Sequence, residues 1–413
     1  MAGMRFEFVW PRKHHVVFIG STGESLLKTY VAETDIKIYV GPRTKLNVWI
    51  ALLAIFSRRW GVRGYYRAFL RFAQPTFVIT FEDNALEFYL TKVFSPSATT
   101  ICIQNGRRDT YSPTPEQDIW QLIRQAVPPE SAPDLILSHG KPQSMYYQSV
   151  LGDAARVKAI GSIRNNATEI PLRHEPRRML FVSSFPNLGA TGRLSDVSSA
   201  TFGYWSPTAS GCQQQQSLTF GSFYRAEGLV AARTAAIART LGLEFCVLGK
   251  RPSWQEGELQ YYTAAIEGQP WTYLPAESKS SSYERIFMND IVVNIDSTFG
   301  YEMFARGIRV AFISCRMQAA GLPQNNEQNF ADPLITEPTG FFWTNSDAPA
   351  ETERVITAVA SMNIGEWDTA TRDLRASVMP FDPGNGELCA VLAELGIKTH
   401  GPGTWTAEPT VQK

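Results

Sequence analysis

The chain has 413 residues, which is longer than one hydrophobic core usually organises, so two domains are expected. Its 39 basic and 39 acidic residues cancel, and this balance gives no support for a nucleic-acid partner. The five cysteines are scattered without CxxC spacing, and no HxxxH pair occurs, so a zinc site is not expected. No apolar run reaches about 18 residues and the first residues lack a signal-peptide pattern, which together predict a cytoplasmic protein.

The first predicted strands are His15–Gly20 and Ile36–Val40, and a basic segment follows them. No acidic residue occurs from Ile36 to Phe81. Arginines stand among aromatic residues in this segment, at Arg58, Arg59, Arg63, Arg67 and Arg71. The last three recur every four residues, so a helix here would carry one basic stripe. Such a stripe suits an anionic membrane surface or a lipid-linked acceptor, although an ordinary solvated helix face has the same pattern.

Three further predicted strands are each followed directly by polar residues. The strands are Thr76–Phe81, Thr100–Ile103 and Asp134–Leu137. The residues that follow them are Glu82, Asp83 and Asn84, then Gln104, Asn105, Arg107 and Arg108, then Ser138 and His139. Because the carboxyl ends of parallel strands meet at one edge of a sheet, these side chains predict a site along one rim.

A basic segment flanked by prolines, Pro171–Arg178, separates this half from a second set of strands. Met179–Ser184 and Phe245–Leu248 are predicted strands of that second set. The stretch Pro186–Gln216 is rich in Ser, Gly and Gln, and it is predicted as a long, mobile excursion that could act as a lid.

The order of elements is therefore βα units, a break, and βα units again. This order predicts an α/β fold with two Rossmann-like domains facing across a cleft. The predicted domains are residues 1–175 and residues 176–400, followed by a disordered tail over residues 401–413.

The stretch from Ile291 to Ser314 scans as a strand, a polar turn, a helix and a second strand. Asp296, Ser297 or Thr298 in the turn can cap the helix, whose first amides would point to the carboxyl end of the strand. Open α/β sheets bind ligands at that end, and a helix N-terminus favours anions such as phosphate. Glu302 and Arg306, four residues apart, can pair along the helix. An ordinary capped βαβ unit without a ligand has the same pattern.

Several short motifs in fixed order go beyond periodicity. They are Thr80–Asn84 (TFEDN), Ile103–Arg107 (IQNGR), Ile160–Asn166 (IGSIRNN), Phe223–Glu227 (FYRAE), Leu248–Arg251 (LGKR) with Glu258, Tyr261 and Tyr262, and Asp296–Glu302 (DSTFGYE) with Ala305–Gly307 (ARG). Together they resemble the surface-carbohydrate (O-antigen or capsule) biosynthesis proteins of bacteria, which are similar to glycosyltransferases of the two-Rossmann GT-B type. The resemblance covers residues 75 to 345, and Phe299 stands where the family pattern has Leu.

This resemblance implies that the C-terminal half binds a nucleotide-sugar donor and the N-terminal half binds the acceptor, with no bound metal and no cofactor. The residues implied for donor binding are Arg251, Asp296, Ser297, Thr298, Gly300, Glu302 and Arg306. The residues implied for sugar binding are Asn84, Gln104, Asn105, Arg107, Ser162 and Asn165. The catalytic base implied first is Asp83, with Asp109 and His139 as the other candidates. Each of these side chains also has an ordinary structural interpretation.

The function implied is a metal-independent glycosyltransferase that moves a sugar from a nucleotide-sugar donor to a surface-polysaccharide acceptor. Its partners would be that donor, a lipid-linked or oligosaccharide acceptor, and an anionic membrane surface bound through the arginine stripe. It would then be cytoplasmic and peripheral at the inner face of the membrane. Two alternatives stay open, namely a nucleotide-sugar epimerase or phosphotransferase of the same pathway, and a non-catalytic scaffold of polysaccharide assembly.

Overall fold

The computed structural model describes most of the chain. The described residues are 5–58, 61–83, 85–108, 132–172, 177–186, 192–195, 201–208, 211–278, 280–322 and 330–404. Several predicted features lie wholly or partly outside them: Arg59, Asn84, Asp109, the end of the tail at residues 405–413, and parts of the predicted segments 171–178 and 186–216.

The first half contains a six-stranded sheet in which all neighbouring strands are parallel. Its strands are β2 (Val16–Ile19), β3 (Ile36–Tyr39), β5 (Phe77–Thr80), β6 (Thr99–Ile103), β7 (Leu135–Ser138) and β8 (Arg156–Ala159). They lie in the order β3-β2-β5-β6-β7-β8. The central strands are almost wholly buried apolar runs, as parallel strands covered by helices on both faces must be.

A second, smaller sheet and several helices complete the described part of the first half. The strands β1 (Arg5–Glu7) and β4 (Lys45–Asn47) pair in parallel. The helices are α1 (Glu24–Tyr30), α2 (Val48–Phe56), α3 (Gly61–Ala73), α4 (Leu86–Tyr89), α5 (Thr91–Phe94), α6 (Lys141–Leu151) and α7 (Ile163–Ala167). A 3-10 turn at Gly152–Ala154 leads into β8.

The second half repeats the plan with another parallel six-stranded sheet. Its strands are β9 (Arg178–Val182), β12 (Glu244–Leu248), β13 (Thr272–Leu274), β14 (Ile291–Asn294), β15 (Arg309–Ile313) and β16 (Trp343–Thr344). They lie in the order β13-β12-β9-β14-β15-β16. The chain winds outward from β9 in one direction and then resumes on its other side with β14, so the strand order reverses between these two strands. In doubly wound sheets that reversal opens the ligand-binding crevice.

The helices of the second half cover both faces of this sheet. They are α8 (Phe220–Phe223), α9 (Arg225–Thr240), α10 (Glu256–Ala265), α11 (Ser281–Glu284), α12 (Thr298–Ala305), α13 (Arg316–Ala319), α14 (Pro349–Ser361) and α15 (Ile364–Val378). The two-Rossmann α/β fold expected from the sequence is confirmed. Within the described ranges, no helix is both long enough and apolar enough to cross a bilayer.

Part of the stretch predicted as an irregular excursion is regular. β10 (Thr201–Thr208) and β11 (Gly211–Thr219) form an antiparallel hairpin with a register shift at Tyr204. The segment contains Thr, Phe, Tyr and Trp, which favour strands. The neighbouring Ser, Gly and Gln residues obscured that preference in the sequence.

The last helix, α16 (Gly386–Glu394), returns to the first half although residues 176–400 were predicted to form the second domain. Leu388, Val391 and Leu392 are buried in the same cluster as Val16 and Phe18 of β2. Their burial continues the hydrophobic face of the first sheet, which needs a cover on that side. The start of the predicted tail is also anchored, because the Tyr30 hydroxyl donates to the Gly403 carbonyl at 2.8 Å.

Candidate active site

The reversal point of the second sheet brings four loops together at the carboxyl ends of its strands. Ser183 and Ser184 follow β9, Lys250 and Arg251 follow β12, Asp296 follows β14, and Arg316 follows β15 in the loop that starts α13. Parallel pairing of β9 with β14 and with β12 places three of these strand ends side by side. This edge has the geometry of a ligand crevice.

Helix α12 starts at this crevice with its N-terminus open. Ser297 is the N-cap residue, and its backbone is extended, but its side chain makes no capping hydrogen bond. Ser297, Thr298 and Phe299 are all partly exposed. An uncapped helix start presents unpaired N–H groups and the positive end of the helix dipole, and both favour an anion.

Gly300 lets α12 pack tightly on its own strand. A Cβ at this position would come within 2.2 Å of the Asn294 side chain. The Asn294 amide donates to the Ser297 carbonyl at 3.2 Å and so fixes the turn between strand and helix. Gly300 therefore shapes the turn through packing, which is a different role from the direct donor contact that the resemblance implied.

The loop after β12 is organised by a buried carboxylate that sequence reasoning left without a role. Glu258 accepts from the backbone N–H of Lys250 at 3.0 Å and of Arg251 at 2.8 Å. It also accepts from the hydroxyls of Ser183 at 2.5 Å and Tyr273 at 2.7 Å. Glu258 thereby holds the turn against the end of β9. In the sequence, the only indication of this role was that Glu258 follows the LGKR motif closely.

The two cations of this loop, Arg251 and Lys250, differ in their hydrogen-bond partners. The Arg251 guanidinium donates to the Phe185 carbonyl at 2.7 Å and 3.1 Å, and burial lowers its pKa. The Lys250 residue is exposed as a whole, although burial lowers the pKa of its ammonium, and that ammonium forms no ion pair or hydrogen bond within the described residues. Lys250, which sequence reasoning missed, is thus the cation of this loop that is open to a ligand.

A buried charge cluster lies at the base of the crevice. The Arg316 guanidinium donates to Asp296 at 2.6 Å, to Glu227 at 2.6 Å and to the Ser184 hydroxyl at 2.8 Å. Glu227 also accepts from the Tyr262 hydroxyl at 2.8 Å. Arg316 was missed in the sequence because its carboxylate partners lie 20 and 89 residues away. This cluster fixes Asp296 at the mouth of the crevice.

Residues predicted in the two halves meet across the cleft. The backbone N–H of Arg107 donates to the Thr298 hydroxyl at 2.8 Å, and its guanidinium lies 4.3 Å above the Tyr301 ring. Arg306 was expected to pair with Glu302 along the helix, but its guanidinium donates instead to the Asn165 side chain at 2.6 Å. Burial lowers the Arg306 pKa to about 10.

Glu302 also bridges the two halves. Its carboxylate accepts from the Ser162 hydroxyl at 2.6 Å and from the Tyr283 hydroxyl at 2.7 Å. Burial raises its pKa above the ordinary value, against the lowering effect of these two hydrogen bonds. In this conformation the carboxylate is engaged by protein hydroxyls, so ribose binding at Glu302 stays a prediction.

The first-half candidates lie on the rim formed by β5, β6 and β7. Asp83 is fully buried and accepts from Arg108 through two hydrogen bonds and from the Tyr147 hydroxyl at 2.8 Å. Gln104 is equally enclosed, donating to Gln143 at 2.6 Å and accepting from the His139 backbone at 2.8 Å. Asn105 accepts from Arg108 at 2.7 Å.

His139 differs from these neighbours because one of its two ring nitrogens accepts no hydrogen bond from any described residue. Its Nε2 lies 3.1 Å from the Gln104 carbonyl, which can only accept, so Nε2 carries the proton and Nδ1 is left as an acceptor. Nδ1 is buried, and no hydrogen-bond partner for it occurs among the described residues. A small cavity of about 10 Å³, room for about one water, is lined by His139, Arg107 and Tyr301. Burial lowers the His139 pKa to about 4, so the imidazole is neutral at neutral pH.

The fold and this crevice define a class of protein. Its members are two-Rossmann α/β proteins with a crevice at the carboxyl ends of the strands of the second sheet. A family described as "putative O-antigen biosynthesis protein" matches residues 101–395. The chain belongs to this surface-carbohydrate family, as the motifs predicted.

Two solved structures share the fold. The S. aureus MnaA–UDP co-structure is 11% identical with a TM-score of 0.51, covering 96% of this chain and 100% of that one. A "putative UDP-N-acetylglucosamine 2-epimerase" from Listeria monocytogenes is 12% identical with the same TM-score and the same coverage. No curated protein matches the sequence. At these identities the likeness establishes the two-Rossmann fold alone.

Proposed function

We propose that this protein is a metal-independent glycosyltransferase that moves a sugar from a nucleotide-sugar donor to a surface-polysaccharide acceptor. The observation that carries the proposal is the open N-terminus of α12 at the strand-order reversal, together with Lys250 at the end of β12, whose ammonium has no partner among the described residues. The family to which the chain belongs supplies the surface-polysaccharide context.

In this proposal the donor diphosphate or monophosphate lies against the first turn of α12. The amides and hydroxyls of Ser297 and Thr298 bind its oxygens, and Lys250 offsets the charge that builds up on the leaving phosphate. Arg251 and Asp296 position the loops around it, since both are held by neighbouring groups. A helix N-terminus and a lysine together replace the charge stabilisation that a metal ion would give.

The acceptor and the catalytic base belong to the first half. Among the described candidates we favour His139 over Asp83, because His139 keeps an open acceptor nitrogen while the Asp83 carboxylate is occupied by Arg108 and Tyr147. A nearby acceptor hydroxyl that develops negative charge would raise the imidazole pKa and favour proton transfer. In this proposal Arg107 and Asn105, at the end of β6, contact sugar hydroxyls.

A thermal-shift screen against CMP, UDP, GDP, ADP, dTDP and their sugars tests donor binding. Ligand at a hundredfold excess over its dissociation constant adds about 2.7 kcal/mol to the free energy of unfolding. We expect one nucleotide to raise the melting temperature, and we expect Lys250→Ala to reduce that shift. Lys398→Ala, another exposed lysine outside the crevice, is the matched control. If no nucleotide shifts the melting temperature, the scaffold alternative replaces this proposal.

An epimerase is the second candidate, and the shared fold with the two structures named above favours it. One of those structures holds UDP and the other is described as a "putative UDP-N-acetylglucosamine 2-epimerase". Proton NMR of the identified nucleotide-sugar incubated without acceptor separates the two activities. An epimerase gives new sugar resonances with the nucleotide still attached, whereas a transferase leaves the donor intact or releases free nucleotide through slow hydrolysis.

A further inference from the structure

Helix α2 lies on the surface of the first half with most of its apolar side chains uncovered. All nine of its residues are apolar (VWIALLAIF), yet among them only Ile50 and Ala54 are buried. Trp49, Ile55 and Phe56 are 39%, 42% and 81% exposed. The neighbouring segment adds Phe8, Val9 and Trp10, which are 72%, 75% and 62% exposed. These six side chains form what we call the apolar patch.

The apolar patch has a defined structure, because hydrogen bonds and ring contacts join its two segments. The Trp49 indole N–H donates to the Phe8 carbonyl at 2.9 Å, and the Asn47 amide donates to the Val9 carbonyl at 2.7 Å. The Trp10 and Trp49 rings lie 5.0 Å apart. The segment before α2 is therefore held against it, and Phe8, Val9 and Trp10 stay exposed beside the helix. Large uncovered apolar surfaces of this kind mark interaction sites.

Basic side chains stand beside the apolar patch. Arg58 lies two residues after the end of α2. Helix α3, which packs against α2, exposes Arg63, Arg67 and Arg71 on one stripe while its aromatic face is buried. Arg67 and Arg71 line the same surface cleft as Ser57, the residue after Phe56. In the part of the chain that the structure describes, none of these four arginines forms an ion pair with a carboxylate. The stripe predicted from the sequence is therefore present and unneutralised.

We propose that the apolar patch and the arginine stripe together dock this protein on the surface of a bilayer that contains anionic phospholipid. Tryptophan and phenylalanine side chains favour the boundary between headgroups and acyl chains, and arginines beside them bind lipid phosphates. Uncovered apolar residues flanked by unpaired positive charge match that boundary in both polarity and charge.

A second copy of the chain is a less suitable partner for the same surface. A two-fold interface puts the same patch on both subunits, so each arginine stripe would lie near the other. No acidic residue from Ile36 to Phe81 is available to neutralise them. This inference concerns a different surface from the donor crevice and does not depend on the proposed catalytic function.

Co-sedimentation with large vesicles tests the proposal. We expect the full-length protein to bind vesicles of phosphatidylcholine mixed with phosphatidylglycerol, to bind pure phosphatidylcholine weakly, and to lose binding as salt is added. Replacing Arg63, Arg67 and Arg71 together with Gln should lower the vesicle partition coefficient about a hundredfold. The double variant Trp49→Ser with Phe56→Ser should lower it by about tenfold or more.

Matched variants away from the apolar patch and the arginine stripe serve as controls. Gln at Arg225, Arg239 and Arg372 changes the same charge at exposed positions, and Leu172→Ser with Trp254→Ser removes exposed apolar groups elsewhere. These variants should bind vesicles as the unchanged protein does, and melting curves establish that all variants are folded. Failure of the unchanged protein to bind anionic vesicles at low salt would falsify the proposal. Light scattering that shows a dimer dissociated by the Trp49 and Phe56 changes, without vesicle binding, assigns the surface to a second copy instead.

Discussion

At the scale of single residues, Arg316 is the centre of the buried charge cluster at the base of the crevice. It is a buried cation held between Glu227 and Asp296, and it also donates to the Ser184 hydroxyl and the Phe223 carbonyl. A buried cation of this kind contributes through its partners, because removing it leaves carboxylates without compensation in a poorly solvated place.

Arg316→Leu should therefore destabilise the protein by about 3–5 kcal/mol, measured as the free energy of unfolding in urea. Arg239→Leu, at an exposed position on α9, is the matched control and should change this free energy little. An equal loss in the two variants would mean that the Glu227–Arg316–Asp296 cluster has no special energetic role. Where Arg316→Leu stays folded, a weakened nucleotide-induced thermal shift would link the cluster to the crevice.

His139 gives the protein a specific dependence on pH. Its pKa is lowered from 6.5 to about 4 by burial, so the folded state resists protonation more than the unfolded chain does. The stabilising effect is present above pH 6.5 and is lost as the pH falls from 6.5 to about 4, because only the unfolded chain takes up the proton in that range.

Urea unfolding at several pH values measures this effect. The unchanged protein should lose stability between pH 6.5 and about 4 more steeply than His139→Gln, whose Nε2 can still donate to the Gln104 carbonyl. Parallel pH profiles for the two proteins would show that His139 does not titrate differently in the folded and unfolded states.

At the scale of elements, the unit β14–α12–β15 joins the fold to the proposed chemistry. The strand brings the polar turn to the sheet edge, and the helix starts there without a side-chain cap. Close packing of Gly300 on Asn294 sets the angle between strand and helix. The direction in which the helix amides point therefore depends on the absence of a side chain at one position.

Gly300→Ala should destabilise the protein by about 1–3 kcal/mol, because the new methyl group overlaps the Asn294 side chain and the helix must shift. It should also reduce the thermal shift produced by the nucleotide. Gly221→Ala is the control, since a Cβ at that helical position meets no atom within 4 Å. Unchanged nucleotide affinity in folded Gly300→Ala would argue against α12 as the phosphate site.

At the scale of the whole molecule, the final helix ties the end of the chain to its beginning. Leu392 of α16 is 1% exposed and shares a cluster with Val16, Phe18 and Leu137 of the first sheet. The two halves are thus linked both by the connection before β9 and by the returning helix. The C-terminal segment is part of the first hydrophobic core.

Leu392→Ala should cost about 2–5 kcal/mol of stability, as truncations in buried cores do. Hydrogen exchange should rise more in peptides containing β2 and β7 than in those containing β9 and β14, since the cavity forms against the first sheet. Leu241→Ala, at a position 40% exposed, is the matched control and should leave both sheets protected. A rise confined to the second sheet would contradict the placement of α16.

The sequence by itself determined the local elements and the class of fold. Apolar runs such as Val16–Ile19 and Ile291–Asn294, each followed by polar residues, are local signals, so they predicted buried parallel strands with functional side chains at their ends. The arginine stripe on α3 and the family resemblance were likewise present in the order of residues, and the structure and the family match confirmed both.

Only the tertiary structure decided which side chains pair. Arg306 lies four residues from Glu302, yet it donates to Asn165 across the cleft, and the Glu302 carboxylate accepts from Ser162 and Tyr283 instead. The ion pairs Arg316–Glu227 and Arg108–Asp83 likewise form only in the folded chain, and so does the packing of α16 against the first sheet. These contacts join residues distant in sequence, and they are set by burial and by sheet order. The local periodicity of the sequence predicts neither the burial of these side chains nor the order of the strands in each sheet.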